Sequence, residues 1–242
     1  MGFHPWLVWR TRTQSCCWQA GCFLHQRFQS SYRQNIPPPP KLEPHEVCRK
    51  LLSIKAFKSS GPDNIPSRIL KEFAHELAEP IAKIFNVSLA SGSVPKIWKD
   101  SDIIPIPKKQ QPTCEEETRP ISLTSCLCKV LEDFVVSWMI TDIGDKIDPR
   151  QFGCLKGTST TYCLLDMIET WLSFLDGNGR HLRICFLDFA KAFDRIGHNV
   201  VVTKLLDLGV RRSLIPWVIN FLYRRSFFPS TVTLFNNGSI HT

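Results

Sequence analysis

The sequence predicts a mixed α+β fold, and three observations support this. Several segments repeat apolar residues at the spacing of an amphipathic helix. Two other segments are short and extended, because prolines interrupt one and the other becomes continuously apolar. Finally, 43% of the 242 residues are hydrophobic, which is enough to bury the core of one large or two small domains.

The first 41 residues differ from the rest of the chain. Their first half is rich in Trp and Cys and shows no regular hydrophobic periodicity. The segment ends in IPPPP at residues 36–40. Consecutive prolines stiffen a chain into an extended linker. We therefore expect residues 1–41 to be an irregular or disordered segment with a proline-rich linker.

Helical signals begin after this linker. Pro44 suits a first helical turn, and apolar residues follow at helical spacing up to the break at KSSGPD. Ser67 can cap a second helix. We expect that helix to kink at Pro80, where a backbone donor is missing, and to stop at Gly92.

The middle of the chain predicts a short hairpin followed by two helices. The prolines of DIIPIP exclude a helix, so we expect a hairpin near Asp102 to Ile121. The stripe of the next helix consists of Leu127, Val130, Leu131, Phe134, Val135 and Trp138. A further helix should run from about Thr160 to Leu175 and end at GNG, with the stripe Leu164, Leu165, Ile168, Trp171, Leu172 and Leu175. We expect both stripes to belong to the core.

After GNG, the segment HLRICFLDF first alternates between polar and apolar residues and then becomes continuously apolar. This pattern predicts a strand buried on at least one face. Two helices should follow, through Val200 to Leu208 with Gly209 at the end and through Ile215 to Tyr223. A weak strand is expected around Thr231 to Phe235.

Two carboxylates lie in the stretch ICFLDFAKAFDRIGH. Asp188 is at the end of the predicted strand, and Asp194 is six positions later. A carboxylate at a strand end can hold a divalent cation. It can also cap the following helix or remain a solvated surface charge, so all three interpretations stay open on these residues alone.

The charge balance favours a polyanionic partner. The net charge is +8 and the pI is about 9.0, which is typical of proteins that bind nucleic acid or an anionic membrane surface. No apolar window reaches the ~18 residues of a membrane span, and the first residues lack a secretory signal. We therefore expect a nuclear or cytoplasmic protein that is not secreted and does not enter a membrane.

The ten cysteines favour a reducing compartment. None forms a CxxC pair, and the nearest approach to a zinc site is the group Cys17, Cys22 and His25. Because the chain is not expected to enter the secretory route, the sequons at Asn86 and Asn237 should remain unmodified.

Five ordered blocks resemble the reverse transcriptases of non-LTR (LINE-type) retrotransposons. They are SSGPDNIPSRILK, IWKDSDIIPIPKK, TRPISLTSCLCKVLE, QFGCLKGTSTTYCLL, and FLDFAKAFDRIGH followed by KLLDLGV. The resemblance covers about residues 42 to 228. It implies a right-hand polymerase fold, with fingers at residues 42–157 and a partial palm at residues 158–242.

The resemblance also implies roles for individual residues. Asp188 matches the first metal-binding aspartate, and the backbone carbonyl of Phe189 would join it on Mg²⁺. Phe193 matches the aromatic residue that favours deoxynucleotides. Arg119 matches the arginine that contacts the incoming triphosphate, with Lys108 as a helper. Residue type agrees, since the planar guanidinium makes bidentate contacts with phosphate oxygens.

The implied activity is RNA-directed DNA polymerisation, in which dNTPs are joined with two Mg²⁺ ions. The implied partners are an RNA template and an RNA/DNA hybrid, and the segment Gly153 to Thr161 would lie near the template backbone. Taken without the resemblance, Arg119 fits a surface ion pair with one of residues 115–117 and Phe193 fits a core position. Asp194 has no metal role in the match and suits a local cap or turn.

Several family features are missing from the sequence. No Tyr is followed two positions on by an Asp pair, no Gln is followed by Gly, and Cys154 replaces the usual aromatic after QFG. We therefore expect a palm that is incomplete at the C-terminus, an exposed apolar face, marginal folding in isolation, and no polymerisation by this chain alone.

Three other functions fit parts of the sequence. The first is a non-catalytic nucleic-acid-binding remnant of a retrotransposon, and the second is a structural or interaction protein whose basicity is incidental. The third is a phosphatase that uses Asp188 as nucleophile, but FLDF lacks a second acid two positions later. The sequence makes no prediction about the oligomeric state.

Overall fold

The computed structural model describes residues 36–110, 117–176, 181–189, 195–223 and 225–229. They form a mixed α+β fold that consists of helices, most of which share one hydrophobic core, and a small three-stranded sheet. The helices are α1 (Pro44–Leu52), α2 (Ser67–Glu72), α3 (Ala74–Ser91), α4 (Lys96–Lys99), α5 (Cys126–Ile143), α6 (Thr160–Leu175), α7 (His198–Asp207) and α8 (Ile215–Leu222). The strands are β1 (Asp100–Pro107), β2 (Thr118–Thr124) and β3 (Ser226–Pro229), and Gly144–Lys146 forms a 3₁₀ turn.

Helix α1 begins as its sequence predicts. Pro44 occupies the first turn, and the backbone N–H of Glu43 donates to Glu46 Oε2 at 3.0 Å, closing a capping box. Val47 and Leu51 are fully buried in the main core. The chain before α1 is held by Asn86, whose side-chain amide exchanges two hydrogen bonds with the backbone of Leu42, at 2.8 and 2.9 Å.

The predicted single helix from Ser67 to Gly92 is wrong at two points. Ser67 does not cap it, because Pro66 takes the N-cap position, Ser67 is the first helical residue, and no side chain caps this end. The helix breaks at Phe73, between α2 and α3, and continues through Pro80 inside α3. The break is local, because Phe73 belongs to the hydrogen bonding of both helices. Its N–H donates to the carbonyl of Ile69 at the end of α2, and its carbonyl accepts from the N–H of Leu77 in the first turn of α3. The stop at Gly92 is confirmed: its φ of 62° is left-handed, a conformation that glycine adopts without strain.

The predicted hairpin is confirmed, and a third strand completes the sheet in the order β2-β1-β3. Strand β1 runs antiparallel to β2 and parallel to β3. The pairing begins at Ser101 opposite Thr124, which are both buried, and ends at Pro107 opposite Thr118. Strand β3 was not predicted, and the strand expected around residues 231–235 lies outside the described residues.

Helix α5 is the centre of the core, as its stripe predicts. Ser125 caps it by accepting from the N–H of Cys128, and Leu131 and Val135 are buried among α1, α3 and α8. From α8, Trp217 enters the same cluster and donates its indole N–H to Ser88 Oγ at 3.0 Å. A second, smaller cluster joins α7 to α8 through Val202, Val210, Ile215 and Ile219.

Two expectations about burial are wrong. Helix α6 has the predicted bounds, but among the described residues nothing covers its stripe, so that Leu164, Leu165, Ile168, Leu172 and Leu175 are 45–58% exposed. Residues 181–189 form no strand, and Leu187 is 83% exposed. A strand forms only where a neighbour accepts its backbone hydrogen bonds, and no described strand pairs with this segment.

Helices α7 and α8 agree with the sequence to within two residues at each end, and Gly209 follows α7 with a left-handed φ of 85°. No helix in the described ranges is both long enough and apolar enough to cross a bilayer.

Candidate active site

The hairpin brings Lys108 and Arg119 to one face and one end of the sheet. Arg119 lies opposite Ile106, and the ladder continues one residue beyond the strands because Lys108 N–H donates to the carbonyl of Glu117 at 2.8 Å. Directly opposite residues share a face, as do residues two positions apart on one strand. Lys108 and Arg119 are therefore diagonal neighbours, typically about 7–8 Å apart at Cα, and long side chains span that distance.

This end of the hairpin is open to solvent, whereas the other end is buried. Ser101 and Thr124 are 0% and 4% exposed, but Lys108 and Arg119 both project from the surface. The difference follows from packing, since the junction of β2 and α5 lies against the core and the far end extends beyond it. The exposed end can therefore present two cations to a ligand.

Glu117, one of the three residues that could form a surface ion pair with Arg119, does not pair with it. Among the described residues Arg119 has no carboxylate partner, and Glu117 pairs with Lys109 instead, at 2.6 Å. Glu115 and Glu116 lie outside the described residues. The Arg119 side chain is exposed, and a triphosphate offers the bidentate geometry that a guanidinium prefers.

Asp188 and Phe189 lie on the irregular segment 181–189, and both are exposed. Within the part of the chain that the structure describes, the Asp188 carboxylate makes no hydrogen bond or ion pair, and nothing joins it to Arg119 or Lys108. The expectation that a buried strand positions Asp188 is therefore wrong for this structure. Phe193 and Asp194 lie outside the described residues.

The Gly153 to Thr161 segment forms a compact loop before α6. Thr158 Oγ1 donates to the carbonyls of Phe152 and Leu155, at 2.7 and 2.8 Å, and Ser159 caps α6 by accepting from Tyr162 N–H. Cys154, which replaces the aromatic usual in the family, has a left-handed φ of 63°.

The donor types at Asp188 suit Mg²⁺, but their number does not complete a site. Mg²⁺ prefers carboxylate and carbonyl oxygen, which Asp188 and Phe189 supply. No three His, Cys, Asp or Glu side chains come together in the described ranges. Asp188 and Phe189 would therefore supply two oxygen donors to an ion whose chemistry is to neutralise phosphate charge.

Sequence reasoning missed the unusual environment of Glu132 on α5. Burial raises its pKa to about 7, while the charges of Arg225 and Lys129 act in the opposite direction. Its position directly after Leu131 in an apolar stripe was the available signal. Phe57 was also missed, although an aromatic residue inside the lysine-rich segment KAFKSS is unusual for a surface loop.

Known proteins provide an independent comparison. The sequence profile described as "Reverse transcriptase (RNA-dependent DNA polymerase)" matches residues 106–240, which is more than half of the chain. This range contains β2, α5 and the residues that the resemblance singled out.

Individual relatives agree with the profile. The chain is 29% identical over 220 residues to the RNA-directed DNA polymerase from mobile element jockey of Drosophila melanogaster, covering 90% of this chain and 23% of that protein. It is 27% identical over 183 residues to the probable RNA-directed DNA polymerase from transposon BS of the same species, covering 74% and 20%. The putative 115 kDa protein in its type-1 retrotransposable element R1DM is 28% identical over 196 residues, covering 80% and 19%.

The chain spans about a fifth of the length of these relatives. The profile covers most of the C-terminal half, and the alignment with jockey extends the similarity over nine-tenths of the sequence. On this basis, the chain belongs to the reverse transcriptase (RNA-dependent DNA polymerase) family, in the form found in LINE-type non-LTR retrotransposons.

Proposed function

We propose that this chain provides part of the catalytic domain of an RNA-directed DNA polymerase, in which Arg119 and Lys108 bind the triphosphate of the incoming dNTP. The observation that carries this proposal is the register of the hairpin, which puts both cations on one solvent-facing surface. Two cations and five guanidinium donors match the charge and the oxygen geometry of a triphosphate.

The proposal extends to the residues that the family match assigns. Asp188 and the carbonyl of Phe189 would hold Mg²⁺, which would neutralise charge on the phosphates when bound. Phe193 would pack where a ribose 2′-hydroxyl would otherwise lie and so select deoxynucleotides. Because Asp188 is exposed and unpaired in the described structure, its carboxylate is available to a ligand that brings its own phosphate oxygens.

The proposed architecture is a right-hand polymerase with fingers at residues 42–157 and part of a palm at residues 158–242. The proposed partners are an RNA template and an RNA/DNA hybrid, and the proposed compartment is the nucleus or cytoplasm. The net charge of +8 supports a polyanionic partner.

Nucleotide binding tests the hairpin directly. A fluorescent dNTP should bind the 242-residue chain, and Arg119→Ala should weaken binding about tenfold or more, since hydrogen bonds to charged groups contribute roughly 1.5–3 kcal/mol each. Lys108→Ala should have a smaller effect. Arg49 is a matched control because it is an exposed arginine on α1, away from the hairpin. Equal losses for Arg49→Ala and Arg119→Ala would contradict the proposal.

Polymerisation is a separate question. We propose that the 242 residues alone do not extend a primer, because the sequence contains no second carboxylate pair of the family type. The chain would be assayed with primed RNA template, dNTPs and Mg²⁺. Incorporation that disappears in Asp188→Ala would show this part of the proposal to be wrong while supporting the role of Asp188.

A second candidate function is non-catalytic nucleic-acid binding. Two observations favour it. Asp188 is the single carboxylate among the residues that match the catalytic pattern, and the net charge of the chain is basic. Steeply salt-dependent RNA binding that is unchanged in Asp188→Asn, with no nucleotide binding at Arg119, would favour this function over the first.

A further inference from the structure

A shallow cleft opens between the end of α1 and helix α2. Its volume is about 510 Å³, within the range of roughly 300–1,000 Å³ that is typical of small-ligand sites. The cleft has an apolar wall and a charged wall, formed by Leu52, Ala56, Phe57, Arg68, Lys71 and Glu72.

Phe57 is the unusual member of this lining. Its side chain is 95% exposed, although a phenyl ring normally gains stability by burial. It makes no ring contact with another described aromatic residue, so no described ring occupies the faces of its π-system. A fully exposed aromatic ring in a basic segment is what single-stranded nucleic acid proteins use to stack bases.

The charges around Phe57 are positive and unpaired. Lys55 and Lys58 are exposed on either side of it, Lys71 lines the cleft, and none of the three forms an ion pair among the described residues. The acidic member of the lining is already neutralised, because Glu72 accepts from Arg68 at 2.6 Å. The net charge of the surface therefore complements a phosphate backbone.

The segment that carries Phe57 is held at both ends. On one side helix α1 ends at Leu52, five positions earlier. On the other side Gly61, four positions later, is packed so closely on the junction of β2 and α5 that a Cβ there would lie 2.5 Å from the backbone nitrogen of Ser125. A backbone segment held at both ends loses less conformational entropy on binding a ligand than a free loop would.

This surface is distinct from the proposed nucleotide site. Gly61 anchors the segment at the Thr124 end of β2, whereas Arg119 lies near the other end. Five residues of a strand separate the two positions, which is about 17 Å at 3.4 Å per residue.

We propose that the cleft binds single-stranded nucleic acid, with a base stacked on Phe57 and the adjacent phosphates bound by Lys55, Lys58 and Lys71. A single strand fits because its bases can leave the stack and present a π-face, whereas a duplex exposes mainly its backbone. The site goes beyond the proposed dNTP binding and does not depend on it.

The test uses the full 242-residue chain and fluorescent ten-nucleotide oligomers of RNA and DNA. Phe57→Leu keeps an apolar side chain but removes the aromatic ring, and it should weaken binding about tenfold, as expected for the loss of one base stack. Phe57→Tyr should restore binding. Phe228→Leu is the matched control, because Phe228 is also an exposed aromatic, at 52%, on β3 and has no role in either proposal.

The lysines are tested through salt dependence. Lys55→Gln combined with Lys58→Gln should lower the slope of log K against log salt by about 1.4, at 0.7 per neutralised phosphate contact. Lys83→Gln, which removes a lysine already paired with Glu79, should leave the slope unchanged.

Three results would overturn the proposal. They are unchanged affinity in Phe57→Leu, equal binding of an abasic oligomer of the same length, and equal binding of a duplex or of polyglutamate. The latter two would indicate a general polyanion surface without base stacking. Failure here leaves the dNTP assay on Arg119→Ala unaffected, so the two proposals are separable.

Discussion

Helices α5 and α6 have similar patterns of apolar residues, but one is buried and the other is exposed. Both are long, apolar and capped by a serine, Ser125 for α5 and Ser159 for α6. In α5 the stripe is buried, with Leu131 at 0% exposure, but in α6 Leu172 is 56% exposed. Apolar periodicity therefore establishes that a helix has one hydrophobic face, but not that the described chain provides something to cover it.

The largest expected effect is a matched pair of leucine truncations. Leu131→Ala should lower the free energy of unfolding by about 2–5 kcal/mol, because it removes buried methyl groups and leaves a cavity. Leu172→Ala should lower it by less than about 0.5 kcal/mol, the usual limit for a surface substitution. Urea denaturation monitored by circular dichroism measures both. Equal losses would mean that α6 is covered in solution and would remove the difference between the helices.

The next effect concerns the end of α5. The Asp142 carboxylate accepts hydrogen bonds from Arg211 Nε, at 2.8 Å, and from the Arg211 backbone N–H, at 3.0 Å. These bonds connect α5 to the loop before α8. Asp142→Ala should cost roughly 2–3 kcal/mol because it leaves three donors of Arg211, the backbone N–H, Nε and Nη2, without their partner. Breaking the exposed ion pair of Lys83 with Glu79 should lower the free energy of unfolding by less than about 1 kcal/mol. This smaller loss is the control.

The pH dependence of this contact has a definite sign. Hydrogen bonding from Arg211 is the main cause that lowers the pKa of Asp142 below its ordinary value. The contact therefore contributes its full stability above the unfolded-state pKa of Asp142. This contribution is lost as the pH falls through the folded-state pKa of Asp142. The stability difference between the wild type and Asp142→Ala should shrink below about pH 4. A difference that stays constant down to pH 2 would show that the contact is not ionic.

A smaller effect of opposite sign is expected at Glu132. Burial raises its pKa to about 7, so the folded state holds a proton that the unfolded state releases near pH 4.5. Stability should fall as the pH rises from about 4.5 to 7, and Glu132→Gln should relieve a penalty on the order of 1–2 kcal/mol at pH 8. At pH 4 the substitution should be close to neutral. Unfolding free energies at the two pH values measure the difference, and an equal effect at both would contradict a buried titrating carboxyl.

The smallest effect tests the open face of α6. Leu165→Glu places a charge on a side chain that is 58% exposed, so the free energy of unfolding should change by less than about 0.5 kcal/mol. Self-association should decrease, because exposed apolar patches promote aggregation. Sedimentation velocity at several concentrations measures this. A large loss of stability in Leu165→Glu would place the stripe in a buried contact.

Local features were predictable because they depend on neighbouring residues. Pro44 begins α1, Gly92 ends α3, and the prolines of DIIPIP exclude a helix, so that β1 and its hairpin followed from the sequence. The break at Phe73 was not predicted, because the pattern of apolar residues continues across it and no glycine or proline marks the position.

The candidate site was only partly predictable. Lys108 and Arg119 were named from their motifs, but their common face depends on the register, in which Arg119 lies opposite Ile106. The strand at residues 181–189 was expected from its apolar run, yet a strand also needs a partner that no local pattern supplies. The position of Asp188 was therefore beyond the reach of local reasoning.

By itself the sequence determined most of the helices, the start of α1, the end of α3, the hairpin and the family, because these follow from side-chain period, backbone restriction and ordered motifs. The tertiary structure decided which apolar faces are covered, which strand lies beside β1, and how strongly burial perturbs Glu132. The physical reason is range: helix formation and turn chemistry act between residues a few positions apart, whereas burial and strand pairing depend on residues that are distant in the chain.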